Sequence, residues 1–137
     1  MILLDAYALI ALLRDEPAAD EVQRLLESET CSISAANLAE TVDRTVRIQE
    51  LPADAVEQTL LPLLEAVPIT VTEINRAVAI EGGLLRARHY NRSASALSLA
   101  DCLLLASALA LGAAIATGED ALIGAAEEEG VIVQHLS

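Results

Sequence analysis

Apolar residues along this chain fall into two alternating patterns: short continuous runs, and longer stretches with helical spacing. Ile2-Leu3-Leu4 reads as a strand closed by Asp5, and Ala6 to Leu13 is helical in composition. Pro17, directly after Asp15-Glu16, suits a first helical position, and the helix it opens carries Val22, Leu25 and Leu26 to about Ser28. Cys31 to Ser34 is a second strand. Ser34 then caps a helix from Ala35 to about Gln49, with Leu38, Thr41, Val42 and Val46 as its inner face.

Pro52 starts another helix, which Pro62 breaks or kinks. Val67 to Thr70 reads as a third strand, whose proline argues for a sheet edge or a strand start. Thr70 with Glu73 spells a capping box for a long helix to about Tyr90. A polar loop, Asn91 to Ala96, leads to Ser98 and a buried helix over Leu99 to Leu111, stopped by Gly112. Ala113 to Ala116 is a fourth strand, Ala121 to Glu129 a last helix ended by Gly130, and Val131 to Val133 a fifth strand. This order predicts an α/β fold, a mostly parallel sheet of about five strands covered on both faces. A chain of 137 residues with no repeat, low-complexity tract or linker reads as one domain, residues 1–137.

Composition narrows the classes. The run Cys102 to Ala116 is shorter than the about 20 apolar residues a bilayer needs, and Met1 to Leu4 has no basic region before it, so neither a membrane span nor a signal peptide is expected. Cys31 and Cys102 lie in predicted buried segments without metal-type spacing, which suits a cytoplasmic protein with reduced thiols. The net charge is −13, arginine is the only permanently charged cation, and two tyrosines are the only aromatics. That balance suits a halophilic protein kept soluble by acidity, and it gives nucleic acid neither a basic surface nor stacking platforms. An RNA-handling protein of this kind relies on metal ions and a few arginines.

The chemistry is in the acids. Asp101 is the only formal charge between Arg92 and Glu119, placed where an apolar helix begins, and a buried carboxylate needs compensation. Asp5 ends strand one, Glu40 follows strand two on its helix, and Glu119-Asp120 follow strand four after Thr117. In a parallel sheet these positions share the C-terminal edge, where ligands bind. Each acid alone has an ordinary reading: Asp5 as a helix cap, Asp101 as the acid of a capping box with Ser98, Glu40 as a solvated side chain, Glu119 and Asp120 as first-turn acids. Together they form a set of hard oxygen ligands suited to Mg²⁺ or Mn²⁺ and to phosphodiester hydrolysis. Arg86, Arg88, His89 and Arg92 make a basic group that reads as a solvated helix end or, beside a phosphate site, as a holder of substrate; Arg86 and Arg92 are the substrate-positioning candidates.

Other chemistries lack their residues. His89 and His135 have no ligand-like spacing for zinc, Gly82-Gly83 is followed by no lysine, and no serine elbow or Cys–His pair is present. A phosphoacceptor receiver would need a lysine, and a haloacid-dehalogenase-type phosphatase would need Asp where Tyr7 stands.

Four pieces, Ile2 to Ile10, Ser34-Ala35-Ala36-Asn37-Leu38-Ala39-Glu40, Ser98-Leu99-Ala100-Asp101 to Ala106, and Ala116-Thr117-Gly118-Glu119, together resemble the PIN-domain family, specifically VapC-like toxin ribonucleases. The resemblance spans essentially the whole chain. It implies a three-layer α/β/α sandwich and a metal-dependent endoribonuclease, with Asp5, Glu40 and Asp101 as ligands of Mg²⁺ or Mn²⁺ and Thr117 as the hydroxyl beside the metal. The family's last acid, usually Asp, comes two residues after that threonine; here Glu119 holds the position and Asp120 follows it. The resemblance also implies a homodimer and a small antitoxin that reaches into the acidic site, and the apolar stretch Leu60 to Leu64 offers a face for a partner. The altered fourth acid and the scarcity of basic residues leave one alternative, an inactive PIN-like scaffold serving protein interaction.

Overall fold

The computed structural model describes residues 1–91 and 96–137. Among them are five strands: β1 (Ile2–Leu4), β2 (Cys31–Ser34), β3 (Ile69–Thr72), β4 (Ala114–Thr117) and β5 (Val133–His135). The helices are α1 (Ala6–Arg14), α2 (Ala19–Ser28), α3 (Ala35–Arg47), α4 (Ala53–Ala66), α5 (Arg76–His89), α6 (Leu99–Leu111) and α7 (Asp120–Glu128). All strand pairs are parallel, in the order β3-β2-β1-β4-β5. From central β1 the chain winds outward through β2 to β3, then returns to β1's other flank for β4 and β5. The winding therefore reverses between β1 and β4, and a crevice opens beyond their C-terminal ends.

The central strands are short and apolar because helices cover both faces. Successive residues alternate between two cores. Leu3 and Ile115 pack with Leu104, Leu105 and Leu122 on one side, while Ile2, Leu4 and Ala116 pack with Leu9, Val22 and Ile33 on the other. The result is the expected three-layer α/β/α sandwich. Both cysteines are buried free thiols, and burial pushes the Cys102 thiol up to about 11.

Several boundaries differ from the sequence reading. Pro17 lies in the turn before α2, two residues ahead of its first helical residue. α4 runs unbroken through Pro62, because Leu60, Leu63 and Leu64 pack against the sheet and outweigh the missing N–H and the ring's crowding of the preceding turn. That packing uses up most of the expected partner face and leaves Leu61, 58% exposed, as its open part. β3 starts just after Pro68 at one sheet edge, satisfying both of the proline's readings, but two residues later than expected. Thr70 is consequently a strand residue, and Asn75 rather than Thr70 caps α5 by accepting a hydrogen bond from Val78 N at 2.9 Å. On α3 the buried residues are the polar Asn37, Thr41 and Thr45, whereas Val42 is exposed. The Thr41 and Thr45 hydroxyls make this possible by donating to carbonyls of the preceding turn.

Candidate active site

Each functional side chain is placed by a handover from strand to helix. Asp5 follows β1 and caps α1, its Oδ1 accepting from Ala8 N at 2.9 Å. Its Oδ2 accepts from the Thr117 hydroxyl at the end of β4, 2.5 Å away across the reversal point. Thr117 Oγ1 in turn accepts from Glu119 N at 3.0 Å, fixing the turn into α7. Ser98 caps α6 by accepting from Asp101 N at 3.0 Å, one half of the anticipated capping box, and donates to Glu40 Oε2 at 3.1 Å. Arg44, one turn beyond Glu40 on α3, lies 3.2 Å from Glu119 Oε1 and 3.7 Å from Glu40 Oε1. Glu40, Ser98, Asp101 and Glu119 border a cavity of about 280 Å³, with Arg44 and Arg47 on its rim.

Asp5 and Asp101 are 1% and 7% exposed, too little for water to solvate a full charge. Burial pushes the Asp5 carboxyl up to about 7, against the hydrogen bonds from Thr117 and Ala8, and the charges of Glu119 and Glu40 add to it. Burial likewise raises Asp101 to about 7, followed by the charges of Glu40, Asp5 and Glu119, with Ser98 opposing. Glu40 is also raised by burial, and Ser98 and Arg44 work in the opposite direction. Asp5 and Asp101 both feel the charges of Glu40 and Glu119, and Glu40 feels Glu119, so the acids share one electrostatic neighbourhood.

The donor chemistry fits a hard divalent cation: oxygen ligands from four carboxyls, two of them held near neutrality by burial. In the structure Glu40, Asp101 and Glu119 border one cavity, and Asp5 lies buried outside its lining. Among the described residues no three His, Cys, Asp or Glu side chains stand close enough to hold one ion.

The remaining sequence candidates lie elsewhere. Asp120 lines a separate cavity of about 470 Å³ with Arg88, His89 and Glu128. Arg86 donates to the Leu97 carbonyl at 3.1 Å and stacks 4.5 Å over the Tyr90 ring, so its cation serves the α5 end rather than the acids. Arg88 and His89 contact Glu129 at 3.1 and 2.9 Å, and they tie α5 to the end of α7. Arg92 lies outside the described residues.

Sequence reasoning missed Arg44 and the link from Ser98 to Glu40. Arg44 had a signal, since it follows Glu40 by four, the spacing of neighbours on a helix face. Ser98 to Glu40 had none, because the two are 58 residues apart. Asn37, one turn before Glu40, is fully buried, and among the described residues its amide has no hydrogen-bond partner.

A family model described as PIN domain matches residues 2–128. No curated protein sequence matches the chain. Several solved structures share its fold. VapBC2 from Rickettsia felis, bound to a DNA fragment from its promoter, superposes with a TM-score of 0.74 at 17% identity and covers 100% of both chains. VapC20 from Mycobacterium tuberculosis, described as a sarcin–ricin loop cleaving toxin, gives 0.70 at 20% identity over 91% of this chain and 95% of that one. A toxin–antitoxin complex from Klebsiella pneumoniae gives 0.62 at 21% identity over 87% of each.

Proposed function

The chain belongs to the PIN-domain family, and from that premise and its gathered acids we propose that it is a metal-dependent endoribonuclease, the toxin of a toxin–antitoxin pair. The observation that supports this reading is that Glu40, Asp101 and Glu119 border one cavity while the buried Asp5 and Asp101, both raised to about 7, feel the charges of Glu40 and Glu119. Asp5, Glu40, Asp101 and Glu119 would hold Mg²⁺ or Mn²⁺. When bound, that ion supplies an activated water and charge stabilisation for phosphodiester hydrolysis.

The chain's own residues prepare the acids. Thr117 fixes the Asp5 carboxylate and Ser98 fixes Glu40, whereas Arg44 bridges Glu119 and Glu40 and competes there with a metal cation. Because burial raises Asp5 and Asp101 to about 7, a dication held by them would compete with protons near neutral pH. RNA is the substrate. An antitoxin is the protein partner, as in the K. pneumoniae complex. A second copy of the chain completes a homodimer, for which Ile80 and Leu84 offer exposed apolar side chains one turn apart on α5. The protein works as a single domain in the cytoplasm, and its acidity suits high salt.

The test is cleavage of a mixed pool of structured RNAs with Mn²⁺, Mg²⁺ or EDTA, at low and molar KCl, by the parent and Asp101→Ala. Metal-dependent cutting that disappears in the variant establishes the nuclease. A folded parent that cuts nothing under any of these conditions replaces it with the inactive scaffold.

A further inference from the structure

An RNA strand meets a repulsive surface on a protein of net charge −13, so the arginines bordering the acids decide whether it docks. Arg86 and Arg88 are committed to the α5 end, as described above. Arg44 and Arg47, three residues apart in the last turns of α3, both line the cavity of Glu40, Asp101 and Glu119. Their partners are carboxylates. Arg44 spans Glu119 and Glu40, with its side chain 32% exposed, and Arg47 makes a two-point contact with Asp43 on the surface. A guanidinium fork suits phosphate oxygens as well as carboxylate oxygens, and an exposed ion pair holds its members weakly.

We propose that Arg44 is the substrate-binding residue that receives a backbone phosphate of the RNA, exchanging Glu119 and Glu40 for it once a bound cation has neutralised those acids, with Arg47 flanking it. The proposal rests on the nuclease reading. In the metal-free protein the same guanidinium offsets the repulsion between Glu40 and Glu119. Arg44 thus changes partner, from carboxylate to phosphate, as the site is loaded.

Fluorescence anisotropy of a fluorescein-labelled single-stranded RNA tests this, with Ca²⁺ present across a KCl series, for the parent, Arg44→Ala, Arg44→Lys and Arg24→Ala. Arg44→Ala should reduce the slope of log affinity against log salt by about 0.7, that of one single-strand phosphate contact. Arg44→Lys should keep the slope, and Arg24→Ala, at an exposed position of α2, should keep both slope and affinity. Calorimetry with Mn²⁺ separates phosphate binding from mere positioning of the acids. Arg44→Ala should bind Mn²⁺ at least as tightly as the parent, because a competing cation is gone. An unchanged salt slope in Arg44→Ala overturns the proposal, and so does a joint fall in RNA and Mn²⁺ affinity. If the parent cuts RNA while Arg44→Ala keeps the parental slope, only this proposal fails; a parent that binds Mn²⁺ but no RNA overturns the nuclease reading as well.

Discussion

The Thr117 hydroxyl donates to Asp5 Oδ2 across 2.5 Å, joining the ends of β4 and β1 where the winding of the sheet reverses. Both residues are buried, so this bond opposes the cost of charging Asp5 and aims its carboxylate. Thr117→Val keeps the shape and removes the donor. Asp5 then rises further above its ordinary range, and Mn²⁺ affinity near neutral pH falls by about tenfold or more, the effect of losing a charge-assisted hydrogen bond of roughly 1.5–3 kcal/mol. Thr117→Ser should restore most of it. Calorimetry of the three proteins decides the matter, and equal Mn²⁺ affinity in Thr117→Val would show that the bond does not prepare the site.

The buried acids also set a pH dependence. Asp5 and Asp101 have native pKa values near 7 against 3.8 for the free side chain, so the native state binds more protons than the unfolded chain between those values. Stability of the metal-free protein is therefore fullest below about pH 4 as far as these two groups are concerned, and it falls as pH rises to about 7. Each unit of raised pKa corresponds to about 1.4 kcal/mol. Melting in EDTA should show this decline, and Mn²⁺ should stabilise the protein more at pH 8 than at pH 5, where protons compete. Asp101→Asn removes one of the charges, so it should melt higher than the parent at pH 8 in EDTA and lose that advantage at pH 5. If the variant melts lower at both pH values, the carboxyl is not a source of strain.

How much of this was legible in the sequence depended on range. Asp5, Ser34 and Ser98 announce their helices locally, because a polar residue after a strand or before an apolar run has little else to do. The placement of the strands gave the edge where the acids meet. The capping box at Thr70 and Glu73 failed because its spacing is satisfied equally by a strand residue and a loop, whereas Asn75, five residues later, matched the true start of α5. α3 hid its inner face, since hydroxyls that bond their own helix can replace the apolar residues expected inside. Long-range partners such as Ser98 with Glu40, or Arg44 with Glu119, emerge only from the packing of α3, α6 and α7 around one crevice.

Glu119 and Asp120 are adjacent but border different cavities, so substitution separates them. Glu119→Gln should weaken Mn²⁺ binding and abolish cleavage, because it removes a charge that Asp5, Glu40 and Asp101 all sense. Asp120→Asn should leave both near the parental level and cost at most about 0.3–1 kcal/mol, the worth of an acid in the first turn of a helix. The reverse pattern would make Asp120 the fourth acid and Glu119 a partner of Arg44 alone.

Gly118 separates Thr117 from Glu119 and has no room for a side chain. A Cβ there would stand 2.6 and 2.7 Å from the Tyr7 ring and 3.0 Å from the Leu136 carbonyl oxygen. The ring has limited freedom to retreat, since the Tyr7 hydroxyl donates to the Ser137 carbonyl at 3.3 Å, and Ser137 is held in turn by Glu21. Gly118→Ala should therefore push the β4–α7 turn off the C-terminal segment, costing about 1–3 kcal/mol in urea unfolding, as overpacking does. It should also tilt Thr117 and Glu119 relative to Asp5, so that Mn²⁺ affinity falls even where the protein remains folded. Gly124→Ala is the matched control. It lies in α7 with open space around it, and replacing a helical glycine there should add about 0.5–1 kcal/mol of stability without affecting the acids. If Gly118→Ala keeps parental stability and Mn²⁺ affinity, the contact between Tyr7 and the turn does not position the site.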